Sequence, residues 1–344
     1  MDWKAIYLTA LEHCAPERLV GEHVTRDMPR NVVAIGKCAG GMLEGVASVH
    51  PIESAFVAIP EGYVQSGGVA SALHIGGHPH MTPGSFAAGR ALVDFVDAHD
   101  DILFLVSGGG SACVEVALGD EDALARANAE WIASGMTIGE INEHRRAHSA
   151  IKGGKLAVRV RGRKVTLVYS DVSTGALHDV ASGPTIPGSE AILVADNTTL
   201  VRAAAQTIGD NAVVIAEQIE SDVADAAAYL ADRARALKPG QVLVAGGEPT
   251  VRVQGDGRGG RCSELAVRFA ALCEHEALFA SSDGLDGNSG AAGILRKAGR
   301  KPPSGWAAAL ARSDSYAVAA QLGEPIMIAP TGNNLRDLFL VACV

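Results

Sequence analysis

The chain has 344 residues, with 29 Lys and Arg against 39 Asp and Glu, a formal net charge of −10, 48% apolar side chains and 40 glycines. That length predicts two domains at roughly 150 residues each, able to bury cores without disulfides or metals. The acidic balance argues against nucleic acid or an anionic membrane as partner, because phosphate-rich surfaces call for a positive field. Glycine is about 12% of the chain against a usual ~7%, with neither collagen periodicity nor disorder-prone composition, so unusual backbone geometry is required.

Taken in chain order, the first twenty residues interleave Asp2, Lys4, Glu12 and His13 with apolar residues, so no signal-peptide core is present. No apolar run reaches the ~20 residues of a spanning helix, and a cytoplasmic location is expected. Six cysteines without a C-x-x-C pair predict buried thiols rather than a zinc cage or a disulfide framework.

Short β-branched runs follow at 31–35, 54–59, 102–106, 164–169, 211–216 and 241–245, alternating with helical patterns at 84–99, 120–134 and 220–237. Apolar runs alternating with helices predict βαβ units and an α/β fold: a larger Rossmann-like domain with a mostly parallel sheet. Lys238-Pro239-Gly240 ends the long helical pattern and sets the expected boundary between a domain at 1–238 and a smaller α/β domain at 239–344. The latter carries strand patterns in TVRV, ALFAS, PIMIA and LFLVA and a helix over 261–273.

Several strand patterns end in glycine-rich or polar turns, where parallel sheets gather ligand loops. DILFLVSGGGSA runs a buried-type strand into Ser107, Gly108, Gly109, Gly110 and Ser111, whose bare backbone amides could turn toward one anion. Lys37 follows another strand directly, at a helix start where the dipole opposes a cation, which an anionic partner would explain. Arg145, Arg146, Lys152 and Lys155 form a basic stretch inside an acidic protein, and Asp171, His178 and Asp179 follow the next strand. His78 and His80 lack a carboxylate or thiol at ligand spacing and read as loop residues.

Neither a Walker-A loop nor a G-x-S-x-G elbow occurs. Gly255, Gly257 and Gly260 do match G-x-G-x-x-G, with Asp283 twenty-odd residues on. The preceding TVRVQ alternates apolar and polar residues, however, and Asp256 would set a carboxylate beside a pyrophosphate. Asp256, Arg258 and Arg261 in one loop, with Glu264 a turn further on, look more like an arrangement for phosphate and a hydrated Mg²⁺.

Together, VVAIGKCAGGM, GGHPHMTPGSFAAGRAL, ILFLVSGGGSA, INEHRRAHSAIKGGKLA, the SDV…ASGPT frame, VLVAGGEPTVRVQGDGRGGRCSEL, SSDGLDGNSGAAG and APTGNNLRDL resemble, in order and over nearly the whole chain, the glycerate 2-kinase family. Its members are often also labelled hydroxypyruvate reductase, and its C-terminal domain is of the MOFRL type. The resemblance implies phosphorylation of a glycerate hydroxyl by ATP with Mg²⁺, in a cleft between two domains, and it points to Lys37 and Arg261 as the main catalytic cations. Ser107 to Ser111, Arg145, Lys152, Gly257, Arg258, Gly259, Gly260 and Asn334 are then expected to bind phosphate or substrate. Asp171, Glu248, Asp256 and Asp283 become the carboxylates expected to hold Mg²⁺ or accept the hydroxyl proton. Glycerate and ATP are the expected partners, with a homodimer possible; the alternatives are NAD(P)H-dependent reduction of hydroxypyruvate or a kinase acting on a different small sugar acid. The chain departs from the family pattern at Cys262-Ser263, where Asn-Gln is usual, at Gly290, where an acidic residue is common, and at His178-Asp179.

Overall fold

In the computed structural model, residues 1–63, 72–173 and 175–343 are described. Two compact units emerge, one of residues 15–196 and one joining 1–14 to 197–344.

The unit of residues 15–196 is built on six strands: β1 Asn31–Ile35, β2 Ser54–Pro60, β3 Ala72–Gly76, β4 Ile102–Ser107, β5 Lys164–Tyr169 and β6 Glu190–Ala195. All pair in parallel, in the order β3-β2-β1-β4-β5-β6. The central strands are apolar because helices cover both faces; every residue of β4 is buried. The core gathers Val33, Ile35, Phe56, Phe104 and Val106 against Leu92 and Val96 of the helix Pro83–Ala98. That helix starts on Thr82, whose hydroxyl and the Ser85 side chain close a reciprocal cap, with Pro83 in the first turn. β3 and β6 are edge strands with exposed residues and are not among the expected strands; β3 lacks a strong apolar run, whereas β6 carries one, Ala191–Ala195.

The second unit carries β7 Ala212–Val214, β8 Val242–Gly247, β9 Glu276–Ser281, β10 Gly293–Arg296, β11 Gly323–Ile326 and β12 Asp337–Ala342. Their order is β11-β10-β9-β12-β8-β7, with β7 parallel to β8 and the other neighbours antiparallel. Its core sets Phe279 between Phe269 and Phe339, edge-to-face with the first and tilted against the second, with ring centroids 5.3 and 6.0 Å apart. The expected strand TVRV does not form: Val253 is 75% exposed and only Thr250 makes an isolated bridge, to Asp222.

The compact units do not part at 238/239 as the Pro-Gly signal led us to expect. The turn 238–240 instead links the helix Val223–Arg235 to β8 inside the second unit. β7 pairs with β8, and the helix Asn197–Ile208 packs on both strands and on the helix Trp3–His13. Pro239 and Gly240 close the turn between the helix Val223–Arg235 and β8.

Candidate active site

Strand order in the first unit reverses between β1 and β4, the point at which open parallel sheets open a crevice beyond their carboxyl ends. β1 ends in Gly36 and Lys37, β4 in Ser107 to Ser111, and Ile35 pairs with Val106, so sequence-distant loops become neighbours. Gly36 has φ +109°, and a Cβ there would run into the carbonyl and hydroxyl of Ser107. Lys37 donates its amide to the Gly108 carbonyl (2.9 Å). Its stem lies over Gly109, where an added Cβ would come within 2.9 Å of Lys37 Cγ, and its ammonium sits 5.2 Å from the Tyr63 ring centroid. These contacts fix the lysine at the switch point.

The Ser107 side chain is engaged within the sheet, a role separate from the expected use of the turn's backbone amides. It is fully buried, donates to the Ile35 carbonyl (3.2 Å) and accepts from the Cys38 amide (3.1 Å), stitching β1 to β4. Gly110 gives close packing, since a Cβ there would meet Ala181 and Ile35 side chains at 2.8 and 2.9 Å. Ser111 is half-buried, with Oγ 2.8 Å from the hydroxyl of Ser182. Asp171 is half-buried just beyond β5.

Two expected substrate cations are instead interior residues. Lys152 is 1% exposed, and its ammonium donates to Glu115 (2.7 Å) and to the Val114 carbonyl (3.0 Å). Burial lowers its pKa, and the Glu115 carboxylate opposes that shift. Arg145 is 5% exposed and donates to Asn128 (2.9 Å), its pKa lowered to about 10 by burial. Neither presents its charge to solvent, so steering of an anion by Lys152 or Arg145 has no support in their placement. Arg146 pairs with Asp179 (2.8 Å).

In the second unit, β12 lies between β8 and β9, and Asp337 pairs in register with Gly247 on one side and Ser281 on the other. This sets Asp337, fully buried, beside Arg261 at the start of the helix Arg261–Leu272. Arg261 Nε and Nη2 donate to its two oxygens (3.2 and 3.3 Å), and Nη1 lies 2.8 Å from Glu248. Desolvation pulls the Arg261 pKa down, but Asp337 and Glu248 together push it well above its ordinary value. The guanidinium is thus a permanently charged group with a fixed orientation. Glu248 also faces Arg336 (3.4 Å), which bonds Gln218 (2.6 Å) and pairs with Glu220. Arg336 and Asp337 lie inside the stretch APTGNNLRDL, where only Asn334 is an expected site residue. The visible signal was Asp337 opening an apolar strand run, where a lone carboxylate needs a partner.

The loop before that helix is held differently than its G-x-G-x-x-G pattern suggested. Cβ atoms at Gly257 would meet the Arg312 carbonyl at 2.5 Å and the Asp314 amide at 2.6 Å, and at Gly259 the Ser315 hydroxyl. At Gly260 a Cβ would strike Asp286. These glycines therefore face the protein's own chain. Arg258 lies 4.2 Å from the Tyr316 ring centroid and donates to the Ser289 carbonyl (2.8 Å), a structural clamp. Asp286 is buried and accepts the amides of Cys262 and Ser263 (2.9 Å each), with its pKa raised to about 6 because burial outweighs those bonds.

Of the remaining carboxylates, Asp256 is exposed, and Asp283 Oδ1 accepts from Ser281 Oγ and the Leu285 amide (2.9 Å each). Asn334 is 7% exposed in the turn before β12. Among the described residues no group of three or more His, Cys, Asp or Glu side chains forms a ready metal cage. No helix among them is long and apolar enough to cross a membrane. None of the six cysteines, all among the described residues, forms a disulfide, and all but Cys343 are buried.

A family model described as a domain of unknown function, DUF4147, matches residues 2–213, and the MOFRL family model matches residues 241–337. The chain belongs to the DUF4147/MOFRL glycerate 2-kinase family. Within it, the chain is 28% identical to a D-glycerate 2-kinase of Thermotoga maritima over 96% of this chain and 95% of that one. It is 29% identical to a glycerate 2-kinase of Sulfurisphaera tokodaii over 80% of each. A putative hydroxypyruvate reductase of Agrobacterium vitis is also 29% identical, over 89% of this chain and 85% of that one. The crystal structure of a glycerate kinase from Thermotoga maritima superposes with a TM-score of 0.84 at 26% identity, covering 99% of this chain and 98% of that one. Family membership and the two-sheet α/β architecture thus agree with the resemblance read from the motifs.

Proposed function

We propose that this DUF4147/MOFRL chain is an ATP-dependent kinase that transfers a phosphoryl group to the 2-hydroxyl of D-glycerate, giving 2-phosphoglycerate. The observation that carries the reading is Lys37, held over Gly109 at the point where strand order reverses, with its cation at the mouth expected for an anionic ligand. Phosphoryl transfer needs positioning and charge stabilisation more than covalent help. Lys37 supplies a point charge on a restrained stem. Arg261, oriented by Asp337 and Glu248, supplies a planar fork suited to phosphate oxygens. The backbone of the Gly108–Ser111 turn is the proposed cradle for phosphate or substrate carboxylate.

Magnesium favours a few hard oxygen ligands together with nucleotide phosphates, and when bound it would neutralise charge on those phosphates. Asp171, Asp256 and Asp283 offer such oxygens. Glu248 is already shared by Arg261 and Arg336, which fits it for orienting the guanidinium better than for holding a metal. Arg258, Gly257, Gly259 and Gly260 then serve by fixing the loop that leads into Arg261.

A coupled assay of ADP release with ATP, Mg²⁺, D-glycerate and a panel of related hydroxy acids tests the proposal. Lys37→Ala and Arg261→Ala are each expected to lose on the order of 10²- to 10³-fold in turnover. Absence of ADP formation with every acid overturns the kinase reading, and nicotinamide oxidation with hydroxypyruvate would replace it with the reductase. Near-wild-type turnover in either variant removes that residue from the mechanism.

A further inference from the structure

A short relay of buried polar groups ends at Ser111, and its hydrogen-bond polarity has one solution. Asn142 is 2% exposed and donates its amide nitrogen to the Asp179 carbonyl (3.3 Å), which fixes the amide so that Oδ1 faces Ser182. Oδ1 can only accept, so Ser182 Oγ, fully buried, must spend its proton on it (2.9 Å). Ser182 Oγ then meets Ser111 Oγ (2.8 Å) with lone pairs only, and the Ser111 proton goes inward to Ser182. What the half-buried Ser111 hydroxyl has left to offer a ligand is acceptor capacity alone.

The relay is held at some conformational cost. Ala181, Ser182 and Gly183 run through φ values of 52°, 60° and 62°, a left-handed run in which two members carry a Cβ. Gly153 and Gly154 donate their amides to the Ser182 and Gly183 carbonyls (3.2 and 2.8 Å), locking the run against the neighbouring turn. Ala181 packs on Gly110, next to the residue whose polarity the relay sets.

From this polarity we infer that Ser111 reads a neutral hydroxyl of the substrate. Its Oγ accepts a hydrogen bond from the non-reacting hydroxyl of a dihydroxy acid and gives no donor to phosphate or carboxylate. Ionised phosphate and carboxylate oxygens are acceptors too, so against them Ser111 brings lone pair to lone pair. Hydroxyl donors are the ligand groups that satisfy it. The inference rests on the kinase reading above and deepens it: the second hydroxyl of glycerate becomes a requirement, because a site built for a hydroxyl is left with an unsatisfied group when the ligand lacks it.

The test compares D-glycerate with D-lactate, which keeps the carboxylate and 2-hydroxyl but lacks the 3-hydroxyl, by kcat/KM and by calorimetric Kd in the wild type, Ser111→Ala and Ser182→Ala. The wild type is expected to favour glycerate by 10²-fold or more. Ser111→Ala is expected to shrink that preference at least tenfold through loss on the glycerate side. Ser182→Ala frees the Ser111 proton to point outward and is expected to shrink it in the same direction. Glycerate turnover with a glycerate-to-lactate ratio that neither variant moves overturns the inference and leaves the kinase reading standing. A wild type that neither binds nor phosphorylates glycerate overturns both.

Discussion

Lys152 separates two uses of a cation that look alike in sequence, one structural and one for binding substrate. Its ammonium and the Glu115 carboxylate are 2.7 Å apart, with side chains 2% and 0% exposed. Among the described residues, the only other group the ammonium bonds is the Val114 carbonyl. Glu115→Gln keeps the shape and removes the charge, stranding an ammonium in the interior. The void beside it, lined by Ile35, Gly110, Val114, Ile151, Ala181 and Pro184, measures about 10 Å³, room for at most one water. Breaking a buried pair on one side costs about 3–5 kcal/mol. For a unit of this size, at about 2–4 °C per kcal/mol, that is roughly 6 to 20 °C in Tm.

The pH dependence has a defined sign. Burial lowers the Lys152 pKa below its value in the unfolded chain, and loss of Glu115 lowers it further. Between the two values the unfolded chain binds more protons, so stability rises with pH. Glu115→Gln should therefore recover part of its deficit as pH rises from neutrality toward the ordinary lysine range. Urea unfolding followed by far-UV circular dichroism measures this, with Lys152→Met and the double variant closing a cycle whose coupling should exceed ~1 kcal/mol. Were Glu115→Gln within ~0.5 kcal/mol of wild type, and Lys152→Met defective only in KM for the acid, the structural assignment would be refuted and the anion-steering role restored.

Gly36→Ala forces a Cβ into the Ser107 carbonyl at φ +109°, and should cost several kcal/mol, well above Gly62→Ala, where φ is also positive but nothing lies within 4 Å. Denaturation midpoints of the two variants check this, and equal losses would mean that strain alone matters. Asp286, with its pKa raised to about 6 in the fold, binds protons more tightly folded than unfolded, so its protonation adds stability as pH falls from about 6 toward 4. Wild type should accordingly gain up to ~3 kcal/mol relative to Asp286→Asn between pH 7 and pH 4. A pH-independent difference between the two would place the Asp286 pKa near its ordinary value.

The parts of the candidate site that were legible in sequence are those where local chemistry and position coincide. Gly36-Lys37 and the triple glycine each end an apolar strand run, and a parallel sheet brings such ends to one edge whatever the sequence between them. Asp337 was hidden because its partnership with Arg261 spans 76 residues and depends on β12 inserting antiparallel between β8 and β9. The stretch APTGNNLRDL contains it, but nothing in that stretch shows which distant side chain it meets. Lys152 misled for the converse reason: its neighbours Arg145, Arg146 and Lys155 form a basic stretch typical of a solvated face, while the group that buries it lies 37 residues earlier. The clue was Glu115, a single carboxylate in the apolar run CVEVA, which cannot be buried without a cation.

The two glycine-rich loops differ in what occupies the space at each Cβ position. At Gly257 and Gly259 that space is filled by residues 312–315, so the glycines exist to let two backbone segments of one unit pass within contact distance. At Gly109 the occupant is the Lys37 stem, and the glycine sets the height of a cation above the turn instead. Both loops satisfy a glycine-rich pattern, yet only the second leaves a charged, restrained side chain at a strand end. A glycine motif therefore carries functional weight in proportion to what its missing Cβ lets in, and here the discriminating neighbour is a lysine rather than another stretch of main chain.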